Sequence, residues 1–332
     1  HLTIEVSNLQ PWIDEFVPEA GKINSIKQFK GGQSNPTYKI VTESKNLVLR
    51  RKPPGKLLPS AHAVDREYKV ITALYETDVP VPKTYGLCED DDVAGTAFFV
   101  MDFLDGDLFW DPMIPSLSNQ DRTEIYQNKN KTLALLHGVD YKKIGLEDYG
   151  KPGNYVARQV SRWSKQYRAS ETDDIEAMNN LIDWLPKNIP DDDETSIVHG
   201  DYRLDNMILK NNQVMGILDW ELSTLGHPIA DFSYHCLSWR TQEAFWDQAK
   251  LKELGVPSEK EYMDMYCENT GKDLSKNWEF YMAFNMFKIA GILQGILGRV
   301  RDGTASSKHA EDRGMMVYPL SEAAWNTIKE NF

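Results

Sequence analysis

Ile197-Val198-His199-Gly200-Asp201-Tyr202-Arg203-Leu204-Asp205-Asn206, followed by Gly216-Ile217-Leu218-Asp219-Trp220-Glu221, decides the reading of this chain of 332 residues. An apolar strand end delivers Asp201, and Asn206 follows five positions later. A second short apolar strand delivers Asp219, and Asn211-Asn212 between them predicts a hairpin turn. Singly, two Asp and one Asn are ordinary turn residues. At this spacing, with both Asp at strand ends, they make the donor set that phosphoryl transfer needs. Asp201 would orient an attacking hydroxyl and take its proton, while Asn206 and Asp219 would offer oxygen ligands to magnesium on the phosphates.

Working outward, Asn8 to Ala20 reads as a short amphipathic helix with Pro11 near its first turn. Ser25–Phe29, Thr37–Thr42, Asn46–Arg51, Thr84–Cys88 and Ala97–Met101 read as five strands, and Ser60 as the cap of a helix running to about Glu76. After Asp102-Phe103-Leu104-Asp105-Gly106 the pattern turns helical, at about 118–137, 153–169, 174–188, 258–270, 277–302 and 306–330. The expected fold class is α+β: a five-stranded antiparallel lobe with one helix over 1–102, and a larger, mainly helical lobe over 103–332.

The spacing parallels the protein-kinase pattern H-R-D-x-x-x-x-N and D-F-G, but Gly200 replaces the Arg and Trp220-Glu221 replaces Phe-Gly. These departures point away from the protein kinases. His-Gly-Asp, four residues, Asn, then a strand ending in Asp resembles the aminoglycoside phosphotransferase and choline kinase-like family. The run Leu218 to Phe232, through Gly226-His227-Pro228-Ile229-Ala230-Asp231, is similar to the kinase-like domain fused ahead of an acyl-CoA dehydrogenase domain in some eukaryotic proteins, and to its free-standing bacterial relatives. The resemblance spans about Phe29 to Arg301. It implies a bilobal protein-kinase-like fold and an ATP- and magnesium-dependent phosphotransferase acting on the hydroxyl of a small molecule.

Further nucleotide contacts follow from that frame. Gly31-Gly32-Gln33-Ser34-Asn35 separates the first two strands, and its backbone N–H groups and the Ser34 hydroxyl could face phosphate. Leu47-Val48-Leu49-Arg50 takes the place of the kinase lysine strand, and choline kinase-like proteins also place Arg there. Alternation puts Arg50 and Arg51 on opposite faces, and either could point at the phosphates. Glu67 shares a helical stripe with Val64, Ile71 and Leu74, so a pair with Arg50 would satisfy it. The backbone from Met101 to Phe103 would face adenine. By resemblance Asp231 braces the catalytic loop, whereas His199 and His137 read as structural.

For the acceptor, Arg203, Arg240, Tyr281, Lys288 and Arg299 are the candidate contacts. From Asn277 to Arg301 the only acid is Glu279, so the segment suits an anionic substrate better than a polycation. The resemblance implies hydroxylated acyl chains, hence a hydroxy acid or hydroxyacyl-CoA. The alternatives are an aminoglycoside or macrolide kinase, a choline-type kinase with an aromatic and acidic cage, and a non-catalytic nucleotide-binding scaffold. A formal charge of −13 argues against nucleic-acid and anionic-membrane surfaces. Cys88, Cys236 and Cys267 form no C-x-x-C pair, and no leader pattern opens the sequence at His1, so a reducing, cytoplasmic setting is expected. The apolar stretch Tyr281 to Leu297 is broken by Asn285, Lys288 and Gln294 and reads as a buried helix. Asp191-Asp192-Asp193-Glu194 reads as a solvated loop. The sequence sets no oligomeric state.

Overall fold

The structure is a computed structural model that describes residues 3–30, 35–55, 63–305 and 307–332. In chain order the first half carries α1 (Val6–Phe16), β1 (Ile23–Gln28), β2 (Thr37–Thr42), β3 (Asn46–Arg51), α2 (Val64–Leu74), β4 (Thr84–Cys88), the one-turn α3 (Asp91–Ala94), β5 (Phe98–Asp102) and α4 (Asn119–His137). The second half carries α5 (Tyr155–Ser170), α6 (Glu176–Trp184), β6 (Ser196–Val198), β7 (Met207–Lys210), β8 (Gln213–Ile217) and β9 (Thr224–Gly226). It ends in helices α7 (Pro228–Cys236), α8 (Ser238–Thr241), α9 (Gln248–Leu254), α10 (Glu259–Thr270), α11 (Trp278–Arg301), α12 (Lys308–Met315) and α13 (Val317–Asn331). Two compact units result: residues 1–149 with 201–223, and residues 150–200 with 224–332.

In the first unit the five strands form the expected antiparallel sheet, in the order β1-β2-β3-β5-β4. Period-2 alternation divides its side chains into two sets. Leu47, Leu49, Phe98 and Val100 join Leu9, Trp12 and Ile13 of α1 in one apolar cluster, where Trp12 meets Phe98 edge-on at 4.9 Å. The other set, Val48, Arg50, Phe99 and Met101, lines a cavity together with Glu67 and Ile71 of α2. Helix α2 starts at Val64; the Ser60 cap lies outside the described residues. The hairpin β7–β8 turns at Asn211 and Asn212, both left-handed at φ 52° and 62°, a conformation Asn tolerates.

In the second unit, α11 is long and apolar enough to cross a membrane. However, 72% of its apolar window is buried, and it packs against α5, α7, α12 and α13. Its polar breaks are tied inside: Asn285 Nδ2 donates to Ser233 Oγ at 2.7 Å, and Gln294 Nε2 to the Ser170 carbonyl at 2.8 Å. It is therefore a core helix. The acidic loop is solvated as read, with Asp191 and Asp193 exposed, but it is also tied down. Asp192 accepts from Tyr281 Oη at 2.8 Å, Asp193 accepts from the Asn154 N–H at 3.1 Å, and Glu194 pairs with Lys272 at 2.6 Å. Helices α7 to α9 also went unread. Most residues of α7 are buried, from Pro228 to Cys236, which erases the amphipathic stripe that marks a surface helix.

Candidate functional site

Arg50 organises the cavity of the first unit. Burial lowers its pKa, and the charges of Glu67 and then Asp219 outweigh that effect, so it ends above its ordinary value. Its Nε lies 2.7 Å from Glu67 Oε2 as an ion-pair contact off hydrogen-bond axis, and Nη2 donates to Glu67 Oε1 at 3.2 Å. The same Nη2 donates to Asp219 Oδ1 at 3.0 Å and lies 3.9 Å from Glu221 Oε2. Glu67 is 2% exposed, and burial pushes its carboxyl up to about 7; Arg50 pulls against this, and Asp219 and Glu221 add to it. Asn35 Nδ2 also donates to Glu67, at 3.2 Å. Arg51, on the opposite face, donates to Tyr38 Oη at 2.7 Å and lies over its ring. Of the two arginines, Arg50 is the one that lines the cavity.

Glu67, Asp219 and Glu221 bring carboxylate oxygens within 4.8 Å of one another beside the Arg50 guanidinium. An all-oxygen donor set of this kind suits magnesium. Glu221 was missed in the sequence, although Asp-x-Glu at period 2 after a strand was the available signal. Asp219 is held at φ 57°, a conformation that costs an L residue energy and needs support from its surroundings. Trp220 supplies it: the ring is 1% exposed, and its Nε1 donates to the Ile217 carbonyl at 3.0 Å. Arg66 of α2 reaches the Tyr149 carbonyl at 2.7 Å and the Ser223 carbonyl at 3.3 Å, fixing the segment after Glu221.

Asn206 closes the short 3₁₀ turn Leu204–Asn206, and its Nδ2 donates to Asp201 at both the carbonyl (2.9 Å) and Oδ2 (3.1 Å). The amide nitrogen is spent on Asp201, so the amide oxygen is the atom suited to a cation. Arg203 is 59% exposed, with Nε 3.2 Å from Asp205 and Nη2 3.6 Å from Asp201. The cavity lined by Arg203, Asp205 and Asn206 together with Arg50, Glu67 and Asp219 measures about 240 Å³; Asp201 adjoins it through Asn206. Met101, Phe103 and Leu104 contribute its apolar wall, and Phe29 lies parallel to Phe103 with ring centroids 6.4 Å apart. The N–H groups of Asp102 and Phe103 already donate to the Lys83 and Asn46 carbonyls, so the adenine-facing role expected of the backbone here is narrowed. Asp107 and Leu209 exchange two backbone bonds that seat this segment on β7. Close approach requires Gly106, where a Cβ would lie 2.6 Å from the Leu209 oxygen. Gly31, Gly32 and Ser34 lie outside the described residues.

The second unit holds the remaining acceptor candidates and redistributes their roles. Arg240 is corrected: it clamps Glu259 (2.8 Å) and Glu279 (2.6 Å), so its charge is consumed inside the fold. Tyr281 is 1% exposed and bonded to Asp192 and His227, a structural position. Lys288 lies 5.4 Å from the Tyr234 ring centroid and lines a small cavity with Gly200 and Asp231. Arg299 lines a separate groove of about 700 Å³ with Trp163 and Ser170, so the two cations do not share one pocket. Asp231 accepts the backbone N–H groups of His199 and Gly200, each at 3.0 Å, which is the bracing that the resemblance implied.

A kinase-like fold with this catalytic spacing defines a phosphotransferase for hydroxyl acceptors. The chain belongs to the phosphotransferase enzyme family, whose profile matches residues 25–266. It is 45% identical over 315 residues to the mouse acyl-CoA dehydrogenase family member 10, covering 92% of this chain and 30% of that protein. The human acyl-CoA dehydrogenase family member 11 is 42% identical over 331 residues, covering 98% of this chain and 42% of that protein. The chain thus spans less than half the length of these relatives. A solved candidate aminoglycoside phosphotransferase from Ralstonia eutropha superposes with a TM-score of 0.91 at 48% identity, covering 99% of both chains. The fold likeness extends to an aminoglycoside phosphotransferase mutant in complex with ADP and hygromycin B, at a TM-score of 0.64 and 11% identity over 96% of this chain and 98% of that one.

Proposed function

We propose that this chain is an ATP- and magnesium-dependent kinase whose acceptor is a hydroxy acid or a hydroxyacyl thioester such as a hydroxyacyl-CoA. The observation that carries the kinase reading is the gathering of Arg50, Glu67, Asn206 and Asp219 around one cavity, with Asn206 bonded to Asp201. Residues 1–102 form the nucleotide lobe in this reading, and 103–332 the lobe with the catalytic loop. The apolar wall from Met101 to Leu104 takes the adenine, and Arg50, with the glycine-rich sequence 31–34, takes phosphate. Magnesium, when bound, neutralises phosphate charge; Asn206 and Asp219 hold it, with Glu221 alongside.

Asp201 accepts the proton of the acceptor hydroxyl as that oxygen bonds to the γ-phosphorus. The bond from that phosphorus to the bridging oxygen breaks, ADP leaves with the electron pair, and the proton ends on the Asp201 carboxylate. Support for an anionic acceptor comes from Arg203 alone, which lines the cavity with Asn206 and Asp219; Lys288 and Arg299 line other cavities and Arg240 is removed from the set. The names of the acyl-CoA dehydrogenase relatives agree with an acyl acceptor. The neighbour solved with hygromycin B favours a second reading, an aminoglycoside kinase.

ADP release from Mg-ATP decides between them, measured against hydroxy acids and their CoA esters, aminoglycosides, macrolides, choline and homoserine. Stimulation by the hydroxy compounds, abolished in Asp201→Asn, is the expected result. Stimulation by an aminoglycoside instead overturns the acceptor assignment, and absence of ATP binding overturns the kinase reading.

A further inference from the structure

Between Gly226 and Asp231 the chain carries a histidine whose two ring nitrogens do different work. His227 is the N-cap of α7, a position that usually falls to Ser, Thr, Asp or Asn. Its Nδ1 accepts the N–H of Ile229 at 3.1 Å. Nε2 lies 2.7 Å from the Asp192 carbonyl oxygen, which can only accept, so Nε2 carries the proton. The ring is 1% exposed, and no freedom remains to swap the tautomer without losing one bond. Asp192 is held in turn: Tyr281 Oη donates to its Oδ1 at 2.8 Å, and Asn277 Nδ2 to its Oδ2 at 3.3 Å. Tyr281 Oη is also 3.2 Å from His227 Nε2.

These bonds join the loop before β6 to the start of α7. Four residues into that helix, Asp231 holds the N–H groups of His199 and Gly200, the residue before Asp201. Gly200 stands at φ 88°, a left-handed conformation that glycine adopts without strain. A serine or aspartate at 227 would cap α7 and leave the Asp192 carbonyl unbridged. A lysine would bridge it and leave the helix uncapped. Imidazole does both.

We propose that His227 and Asp192 are positioning residues for the catalytic loop: they fix the register of α7 so that Asp231 holds the backbone leading into Asp201. The activity readout rests on the kinase reading; the structural readout does not. Hydrogen exchange on the full chain, read at the His199 and Gly200 amides, tests the clamp directly. His227→Ala is expected to speed that exchange about tenfold, the factor carried by a lost helix cap. The kcat for ADP release from Mg-ATP, with water as acceptor, should fall by about the same factor, while KM for ATP stays within about twofold, because Arg50, Glu67 and Asp219 are untouched. His227→Asn restores a capping oxygen and a donor, and should recover exchange and kcat to within about threefold. Should His227→Ala fail to fold, Tyr281→Phe removes only the hydroxyl that secures Asp192, and should raise exchange at the same two amides by about threefold. Unchanged protection of His199 and Gly200 in a folded His227→Ala protein, or in Tyr281→Phe where that variant substitutes for it, overturns the proposal. An altered exchange with no ADP release from the native protein would instead condemn the kinase reading.

Discussion

Arg50 and Arg51 are consecutive on β3 and almost equally buried, at 4% and 2% exposure, yet their surroundings are opposite in kind. Arg51 lies on the Tyr38 ring, donates to that phenol at 2.7 Å and reaches the Ala94 carbonyl. Arg50 sits among the carboxylates of Glu67, Asp219 and Glu221. Burial of a charge is therefore no signature of function. What the charge faces separates the two, because gathered carboxylate oxygens suit a bound cation and an aromatic ring does not.

Breaking the Arg50 side has the largest expected effect. Arg50→Ala should lower kcat/KM for ATP by about 10²–10³, the scale of removing one charged donor from a phosphoryl-transfer site. Arg51→Ala should leave kcat per folded molecule unchanged and cost about 2–3 kcal/mol in denaturant unfolding, from lost packing and unpaired acceptors at Tyr38 and Ala94. Glu67→Gln keeps a hydrogen-bonding partner for Arg50 but removes a charge; ADP release should fall by about tenfold. The mildest change is Gly216→Ala. Its methyl would meet Leu104 Cδ1 at 2.2 Å, a flexible side-chain end that can move into the cavity. About 1 kcal/mol of stability and a small rise in KM for ATP are expected. An Arg51→Ala protein that loses turnover as Arg50→Ala does would erase the distinction between the two faces.

The sequence displayed Asp201, Asn206 and Asp219 because their spacing is fixed by a short 3₁₀ turn and a two-residue hairpin, both local. The five strands and α11 were legible for the same reason. The choice between Arg50 and Arg51 was not, because both faces of the sheet are covered, by α1 on one side and by α2 with the cavity on the other. Alternation gives two faces without saying which one lines the cavity. Arg240 misled for a related reason: Glu259 and Glu279 reach it from other helices, 19 and 39 residues away. The ties of the acidic run 191–194 were not legible because its partners, Tyr281, Asn154 and Lys272, are scattered along the chain.

The most direct test is a calorimetric titration of ATP, with and without magnesium, into the native chain, Arg50→Ala and Arg51→Ala. Magnesium-dependent binding is expected, abolished in Arg50→Ala and retained at native affinity in Arg51→Ala. Equal ATP affinity in the two variants, or binding indifferent to magnesium, would contradict it.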